Sequence, residues 1–387
     1  MKKQTVLVIH NMYGTISGED VVFQNECEML RKRGHKVITY TLTTKNVKSK
    51  AAMLKRAFTT FWSLKSYRTV KKLIRENDVD IVHCHNLYPL ISPSVYYAAR
   101  AMKVPAIEVI HNFRPLCANA LFFRNGATCE ECVHGGLFCA VRHRCYCNSR
   151  FESLLTVTVM AFQRLFRMYA VPYYICLTEF NKEKLTLLPQ IKPERVFVKG
   201  NYVAQRCTSP VPGSNRRDCF VFGGRLEENK GIRVLLAAWE AMGESAPHLI
   251  ICGNGPLLPL CREYVDGGRV KNAELMGQVA HDDFMDLVAR ARALVVPSQW
   301  YEGFPMTITE ACAVGTPVVT GDIGNSAALV SEGVNGVHFH YDSAEDLARV
   351  ILETDFGGMC DSTFALYNDL WTEDKNYETL ISIYERL

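Results

Sequence analysis

The chain has 387 residues, 48% of them hydrophobic and 22% charged, with a formal net charge of +4. That length suits two domains of ordinary size, and the composition excludes a disordered or fibrous chain. The fifteen cysteines are odd in number and scattered, and no apolar run near the start is longer than Val6–Ile9; both features argue for reduced thiols in a cytosol and against a secreted disulfide framework.

The first half reads as strands alternating with helices. Thr5-Val-Leu-Val-Ile-His10 is a short apolar run, as expected of a parallel strand buried on both faces. A helix follows over Glu19–Arg33, closed by Gly34, and Lys36–Tyr40 resumes as a strand. Residues 45–75 carry ten Lys or Arg and no Asp or Glu, interleaved with Met53, Leu54, Ala57, Phe58, Phe61, Trp62 and Leu64. A solvated helix face and an interfacial helix on anionic lipid both account for that mix. Nothing in the chain resembles a base-reading motif, so nucleic acid is not an expected partner.

Val79–His83 and Ala106–Ile110 are further strands, each delivering polar residues at its carboxyl end, where ligands bind in open α/β sheets. His83-Cys-His85 lies at one such end, with His85 the better placed of the two for a ligand, and Ile110-His111-Asn112 at the other. Asp78-Val-Asp80 precedes a strand and reads as helix-exit chemistry, not as a metal-binding pair. Residues 116–150 hold six cysteines. Cys129 and Cys132, with Cys117 and Cys145 on either side, offer four thiolates for a structural zinc. The outer spacings match no standard finger, and free thiols are the plainer reading. Leu154–Leu177 is the longest apolar stretch, broken by Gln163, Arg164, Arg167 and Pro172; it makes a poor membrane span and a reasonable buried or interfacial helix.

Around residues 203–218 the composition changes, and Ser209–Asn215 is a turn-rich linker candidate. Alternation then restarts: strands at Cys219–Phe222, His248–Ile251, Ala293–Val296 and Pro317–Thr320, and helices at Gly231–Ala241 and Met306–Ala313. Phe222-Gly-Gly-Arg-Leu-Glu-Glu-Asn-Lys-Gly231 leaves a strand and enters a helix. Gly223 and Gly224 allow close backbone approach, while Arg225 and Lys230 form a cationic clamp for a diphosphate. Gly253-Asn-Gly-Pro256 is a second strand-to-glycine turn. Glu302 then sits in a loop and Glu310 eight residues on in a helix. That spacing lets the loop carboxylate meet a sugar while the helical one accepts hydrogen bonds from vicinal ribose hydroxyls. Gly303, Phe304 and Pro305 open the helix, whose first amides at Phe304–Thr307 favour phosphate.

These motifs, in this order, resemble the family-4 retaining glycosyltransferases with the GT-B fold. The likeness spans essentially the whole chain and rests on Gly224-Arg-Leu, Lys230-Gly, Gly253-Asn-Gly-Pro, and Glu302 followed by Glu310. It implies an α/β architecture of two Rossmann-like domains facing across a cleft. It also implies donor-sugar contact at Glu302, ribose binding at Glu310, and diphosphate binding at Arg225 and Lys230. Tyr13–Asp20 resembles the family's glycine loop, with Ser17 at a family glycine and Gly18 retained. Ile110-His111-Asn112 resembles its active-site histidine segment, which makes His111 an orienting acceptor-side group. The 116–150 insert resembles Cys-bearing inserts of polysaccharide-assembly members.

The expected organisation is an acceptor-binding domain over 1–204, a nucleotide-sugar-binding domain over 205–369, and a terminal helix at 370–387 packing back on the first. The expected reaction is transfer, with retention, from a UDP- or GDP-sugar to a hydroxyl of a saccharide acceptor. The basic run favours a lipid-linked acceptor and a peripheral position on the inner face of the cell membrane. No catalytic cofactor is expected, because cations and helix dipoles neutralise the leaving diphosphate. A soluble-acceptor glycosyltransferase, a sugar-nucleotide epimerase, an inactive nucleotide-sugar-binding subunit and a zinc-dependent nucleic-acid module are the alternatives.

Overall fold

The computed structural model describes residues 3–12, 17–44 and 59–387. Contacts divide the chain into two units. One holds the residues up to Leu121 with Glu130–Lys199 and Tyr377–Leu387; the other holds Phe122–Cys129 and Gly200–Asn376. The boundary thus falls at Lys199/Gly200 and not after residue 204, and eight residues of the insert group with the second unit.

The first unit is built on a six-stranded parallel sheet in the order β2-β1-β3-β4-β7-β8. Its strands are β1 (Thr5–Met12), β2 (Lys36–Thr43), β3 (Ile81–Cys84), β4 (Ala106–Ile110), β7 (Tyr173–Cys176) and β8 (Val196–Val198). Val6–Asn11 are buried because β1 has a paired strand on each side, whereas edge strand β2 holds no fully buried residue. Helix α1 (Gly18–Lys32) starts at a reciprocal cap: the Ser17 side chain accepts from the Asp20 amide while Asp20 accepts from the Ser17 amide. Helices α2 (Leu64–Asn77), α3 (Ser94–Ala101), α4 (Arg150–Leu165) and α5 (Glu179–Thr186) complete the layers. Asp78 ends α2 in the left-handed conformation and Asp80 accepts the Thr5 amide at 2.7 Å, so this acidic pair terminates a helix and anchors a strand.

The second unit repeats the plan in the order β11-β10-β9-β12-β13-β14, all parallel. Counted within the unit this is the strand order 3-2-1-4-5-6 of a doubly wound nucleotide fold. The strands are β9 (Cys219–Gly223), β10 (His248–Cys252), β11 (Ala273–Gly277), β12 (Ala293–Val296), β13 (Val318–Gly321) and β14 (Gly336–Phe339). Two apolar clusters fill it, one around Phe220, Trp239 and Phe356, the other around Ile308, Phe364 and Tyr367. Trp239 is wholly buried and its indole nitrogen donates to the Pro247 carbonyl at 2.9 Å; burial of such a ring contributes roughly 1.5–3 kcal/mol. Its helices include α6 (Ile232–Met242), α7 (Leu258–Val265), α8 (His281–Arg290) and α9 (Met306–Cys312).

Two sequence expectations need correction. The apolar stretch Leu154–Leu177 is not one helix: α4 stops at Leu165, Arg167 turns left-handed, and β7 begins at Tyr173. Pro172 removes the donor a continuing helix needs, and Tyr173–Cys176 gain ladder bonds between β4 and β8. The expected linker Ser209–Asn215 is docked on the second unit. Arg216 donates to the carbonyls of Val211, Ala291, Val314 and Gly315 and to the Thr316 hydroxyl. A Cβ on Gly213 would lie 2.5 Å from the Gly357 carbonyl oxygen. Strands β7, β8, β11 and β14 had no counterpart in the sequence reading.

Candidate functional site

In the second unit the strand order reverses between β9 and β12, and polar side chains gather at the carboxyl ends there. A pocket of about 380 Å³ is lined by Gly224, Arg225, Asn254, Gln278, His281 and Glu310 among others. Its floor needs glycine. A Cβ on Gly253, whose φ is +145°, would stand 1.8 Å from the Gly224 carbonyl oxygen, so the two strand-exit turns pack backbone to backbone. Gly231, at φ +70°, could not carry a Cβ either, because the Pro297 carbonyl oxygen would lie 1.7 Å away.

Glu310 reaches this pocket from α9, with only 15% of its side chain exposed. Burial raises its carboxyl above the ordinary range, partly offset by the cationic pull of His281 and Arg206. His281 Nε2 lies 3.5 Å from Glu310 Oε1. Arg225 stands at the lip, 69% exposed, with Glu227 at 3.1 Å.

Glu302 and Lys230 are joined by a 2.6 Å ion pair and are not among the lining residues of that pocket. The Glu302 side chain is nearly buried, and Ser298 Oγ donates to the same Oε1 at 2.7 Å. The loop beneath is fixed by Asn325, whose Nδ2 donates to the carbonyls of Glu302 and Gly303. Tyr301 packs edge-on to Phe122, 6.0 Å between centroids, so the hairpin of β5 (Phe123–Arg124) and β6 (Ala127–Thr128) adjoins this loop. Phe304 packs on the apolar cluster and Pro305 begins α9. The structure therefore brings Arg225 to Glu310 in one pocket and Lys230 to Glu302 in one pair. Arg225 and Lys230, expected to flank a diphosphate, leave the same glycine loop, the first lining the pocket and the second in the ion pair. Asn254, Gln278, His281, Ser298 and Asn325 were missed; their only signal was position, as polar residues just beyond strand carboxyl ends.

In the first unit His111 follows β4 and lines a pocket of about 80 Å³ with His85, Asn112, Arg114 and Glu108. Burial is the main reason the His111 imidazole falls to about 3, with repulsion from His10, Lys199 and His83 adding to it. The ring is therefore neutral, which suits an orienting hydrogen bond and not proton donation. Asn112 Nδ2 donates to Glu19 at 2.9 Å, and Glu19 is pushed up by burial. Glu108 is half-buried beside Tyr96, and desolvation raises it to about 7. Among the described residues nothing stands within 4 Å of where a Gly18 Cβ would be. Residues 13–16 of its loop lie outside the described residues, as do residues 45–58 of the basic run.

His83 and His85 are both buried, with rings stacked 4.9 Å apart at 15°. Residues two apart on a strand share a face, yet of the two only His85, the better placed by sequence, lines the pocket with His111. No disulfide joins any of the fifteen cysteines. In the insert, burial raises Cys132 to about 12, reinforced by neighbouring Cys117, Cys145 and Cys139; Cys129 belongs to the segment that groups with the second unit. Among the described residues no group of three thiols falls within metal-binding range. No described helix is long and apolar enough to cross a membrane.

Residues 16–203 match a family model described as Glycosyltransferase Family 4, and residues 217–354 one described as Glycosyl transferases group 1. An uncharacterized glycosyltransferase of Methanocaldococcus jannaschii is 21% identical over 353 residues, covering 90% of this chain and 87% of the relative. Among solved structures, the apo form of the lipopolysaccharide outer core galactosyltransferase WaaB matches with a TM-score of 0.70 at 15% identity, covering 99% of this chain and 100% of that one. A UDP complex of Anabaena HepE matches with a TM-score of 0.67 at 13% identity, with the same coverage. At these identities the likeness to the solved structures is one of fold.

Proposed function

The chain belongs to the family-4 glycosyltransferases of GT-B fold, and from that premise we propose that it is a retaining enzyme acting on a lipid-linked saccharide. The donor is a nucleoside-diphosphate sugar held by the second unit. The observation that carries this reading is the pocket at the ends of β9, β10 and β11, with a buried carboxylate at Glu310 and a cation at its lip in Arg225. Vicinal ribose hydroxyls donate to Glu310. Arg225 and the amides of Gly303, Phe304 and Met306 at the entry to α9 take the diphosphate, while Pro305, which has no N–H, sets the turn into the helix. Lys230 has three donors, of which one meets Glu302, leaving two for phosphate oxygens. Glu302, held by Lys230 and Ser298, meets the donor sugar.

The bond from the anomeric carbon to the diphosphate breaks with its electron pair going to the diphosphate oxygen, and a bond to the acceptor oxygen forms as the hydroxyl proton passes to the departing diphosphate. Paired cations stabilise charge developing on the diphosphate. The neutral His111 imidazole orients a hydroxyl in the first unit. A UDP complex exists for HepE, and the fold relative WaaB is named for lipopolysaccharide; both agree with a UDP-sugar and a lipid-borne acceptor.

A surface of the first unit supports the membrane part of this reading. Trp62 packs on Tyr97, whose hydroxyl donates to the Phe166 carbonyl, and Phe162 contacts Phe61 and Phe166. Leu64, Leu165 and Phe166 are at least half exposed beside Lys65, Arg68 and Lys72 of α2. Apolar anchors rimmed by cations suit the surface of an anionic bilayer on the cytoplasmic side. The reading is tested by sedimenting the protein with vesicles of neutral lipid, with and without anionic lipid, and by assaying transfer to vesicle-borne and free saccharide acceptors. Binding to anionic vesicles with transfer to the vesicle-borne acceptor is expected. Transfer only to free acceptor would remove the lipid assignment, and donor conversion without acceptor would replace the enzyme class with an epimerase.

A further inference from the structure

Behind His111 in the first unit lies a group that glycosyl transfer does not use. Glu26 of α1, His83 of β3 and His85 just past it are each at least 97% buried. One ligand atom from each lies within 4.8 Å of the others. Among the described residues Glu26 Oε1, His83 Nε2 and His85 Nε2 find no hydrogen-bond partner, although native proteins pair nearly all such atoms. The remaining ring nitrogens are occupied. His83 Nδ1 meets the Tyr384 hydroxyl at 2.5 Å, and His85 Nδ1 meets His111 Nε2 at 3.1 Å.

If His83 and His85 carry their protons on those Nδ1 atoms, both Nε2 lone pairs converge on a carboxylate oxygen. Two lone pairs and an anion repel one another in a dry interior unless a cation joins them. Two imidazoles and one carboxylate, with the outer ring nitrogens held by hydrogen bonds, form a ligand set suited to a zinc-class ion. We propose that Glu26, His83 and His85 bind a divalent transition-metal ion of the zinc class. The ion locks the proton of His85 on Nδ1, which makes His111 Nε2 an acceptor and leaves His111 Nδ1–H to orient a ligand. This site is independent of the donor pocket in the second unit.

Lys199 sets the strength of the site. Its Nζ lies 3.4 Å from Glu26 Oε2, so it competes for the carboxylate and opposes a second cation. The rival account is a hydrogen-bonded cluster, with His83 protonated on Nε2 toward Glu26, 3.4 Å away.

The test is metal content of the purified full chain, followed by chelator dialysis and titration with Co(II). Expected are d–d absorption bands that saturate near one equivalent per chain, and no sulfur-to-cobalt charge transfer from these ligands. Glu26→Gln and His83→Gln should lose those bands, with circular dichroism reporting whether each variant folds. Lys199→Met serves as the second variant and should bind Co(II) several-fold more tightly. Absence of any d–d band in the native chain would overturn the proposal. So would bands that survive Glu26→Gln and His83→Gln, bands lost only with Cys132→Ser, or a Lys199→Met chain with unchanged affinity.

Discussion

Both units gather polar residues where the order of a parallel sheet reverses, yet the two gatherings are built oppositely. In the second unit most charges are kept, although burial raises the Glu310 carboxyl. Lys230 meets Glu302, His281 meets Glu310, and Arg225 stands in solvent beside a pocket of about 380 Å³. In the first unit charge is suppressed: His85 and His111 are lowered and Glu108 raised, with burial as the leading cause each time. A diphosphate needs cations that water has not been stripped from at great cost, whereas a neutral hydroxyl needs neutral, fixed hydrogen-bonding partners. The same fold thus supplies an ionic site and a neutral one, and their contrast is open to test.

The largest expected effect is that of Glu302→Ala. Removing a group that meets the sugar, and leaving Lys230 without its carboxylate, should lower kcat by roughly 10²–10³-fold. Binding of free nucleotide, followed by calorimetry, should change little. Glu108→Gln comes next. A carboxyl raised from 4.5 to about 7 in the folded state binds its proton more tightly folded than unfolded. Native stability therefore falls as pH rises from the unfolded value through about 7. The variant should be more stable at about pH 8 by up to about 3 kcal/mol, and no more stable at about pH 4.5, as read by urea unfolding. Equal pH profiles for variant and native chain would mean Glu108 is not held neutral, and the contrast between the units would weaken.

Glu310→Ala should cost nucleotide binding roughly 1–3 kcal/mol for two lost charge-assisted hydrogen bonds. In the native chain nucleotide affinity should also decline as pH falls through the raised value of Glu310, since a protonated carboxyl accepts less well. The smallest effect on stability separates two glycines. Gly18→Ala meets no described atom within 4 Å and should leave stability within about 0.5 kcal/mol. Gly253→Ala collides with the Gly224 carbonyl and should destabilise the second unit outright, by thermal denaturation.

Much of the fold was legible because buried parallel strands are short apolar runs that end in polar or glycine residues. Ala106–Ile110 and Ala293–Val296 were bounded to the residue for that reason. Tyr173–Cys176 was read as helix because apolar composition alone does not separate a strand from a buried helix. Ala273–Gly277 escaped because Glu274 and Met276 of this edge strand are exposed and break the apolar run. In the site, Glu302 and Glu310 were visible from spacing, and Arg225 and Lys230 from the glycine loop. Their pairing was not, since Lys230 and Glu302 meet across 72 positions of chain. The Glu26–His83–His85 group was hidden for the same reason: only α1 packing on the sheet joins them.

The most direct test of the central claim is thermal stability of the purified chain with UDP, GDP and ADP, in native, Glu302→Ala and Glu310→Ala forms. A ligand that binds only the folded state stabilises it by ~2.7 kcal/mol at a hundredfold excess over its dissociation constant. The account predicts a saturable rise with one nucleoside diphosphate, kept in Glu302→Ala and lost in Glu310→Ala. No rise with any nucleotide, or a rise that survives Glu310→Ala, would contradict the assignment of the second-unit pocket as the donor site.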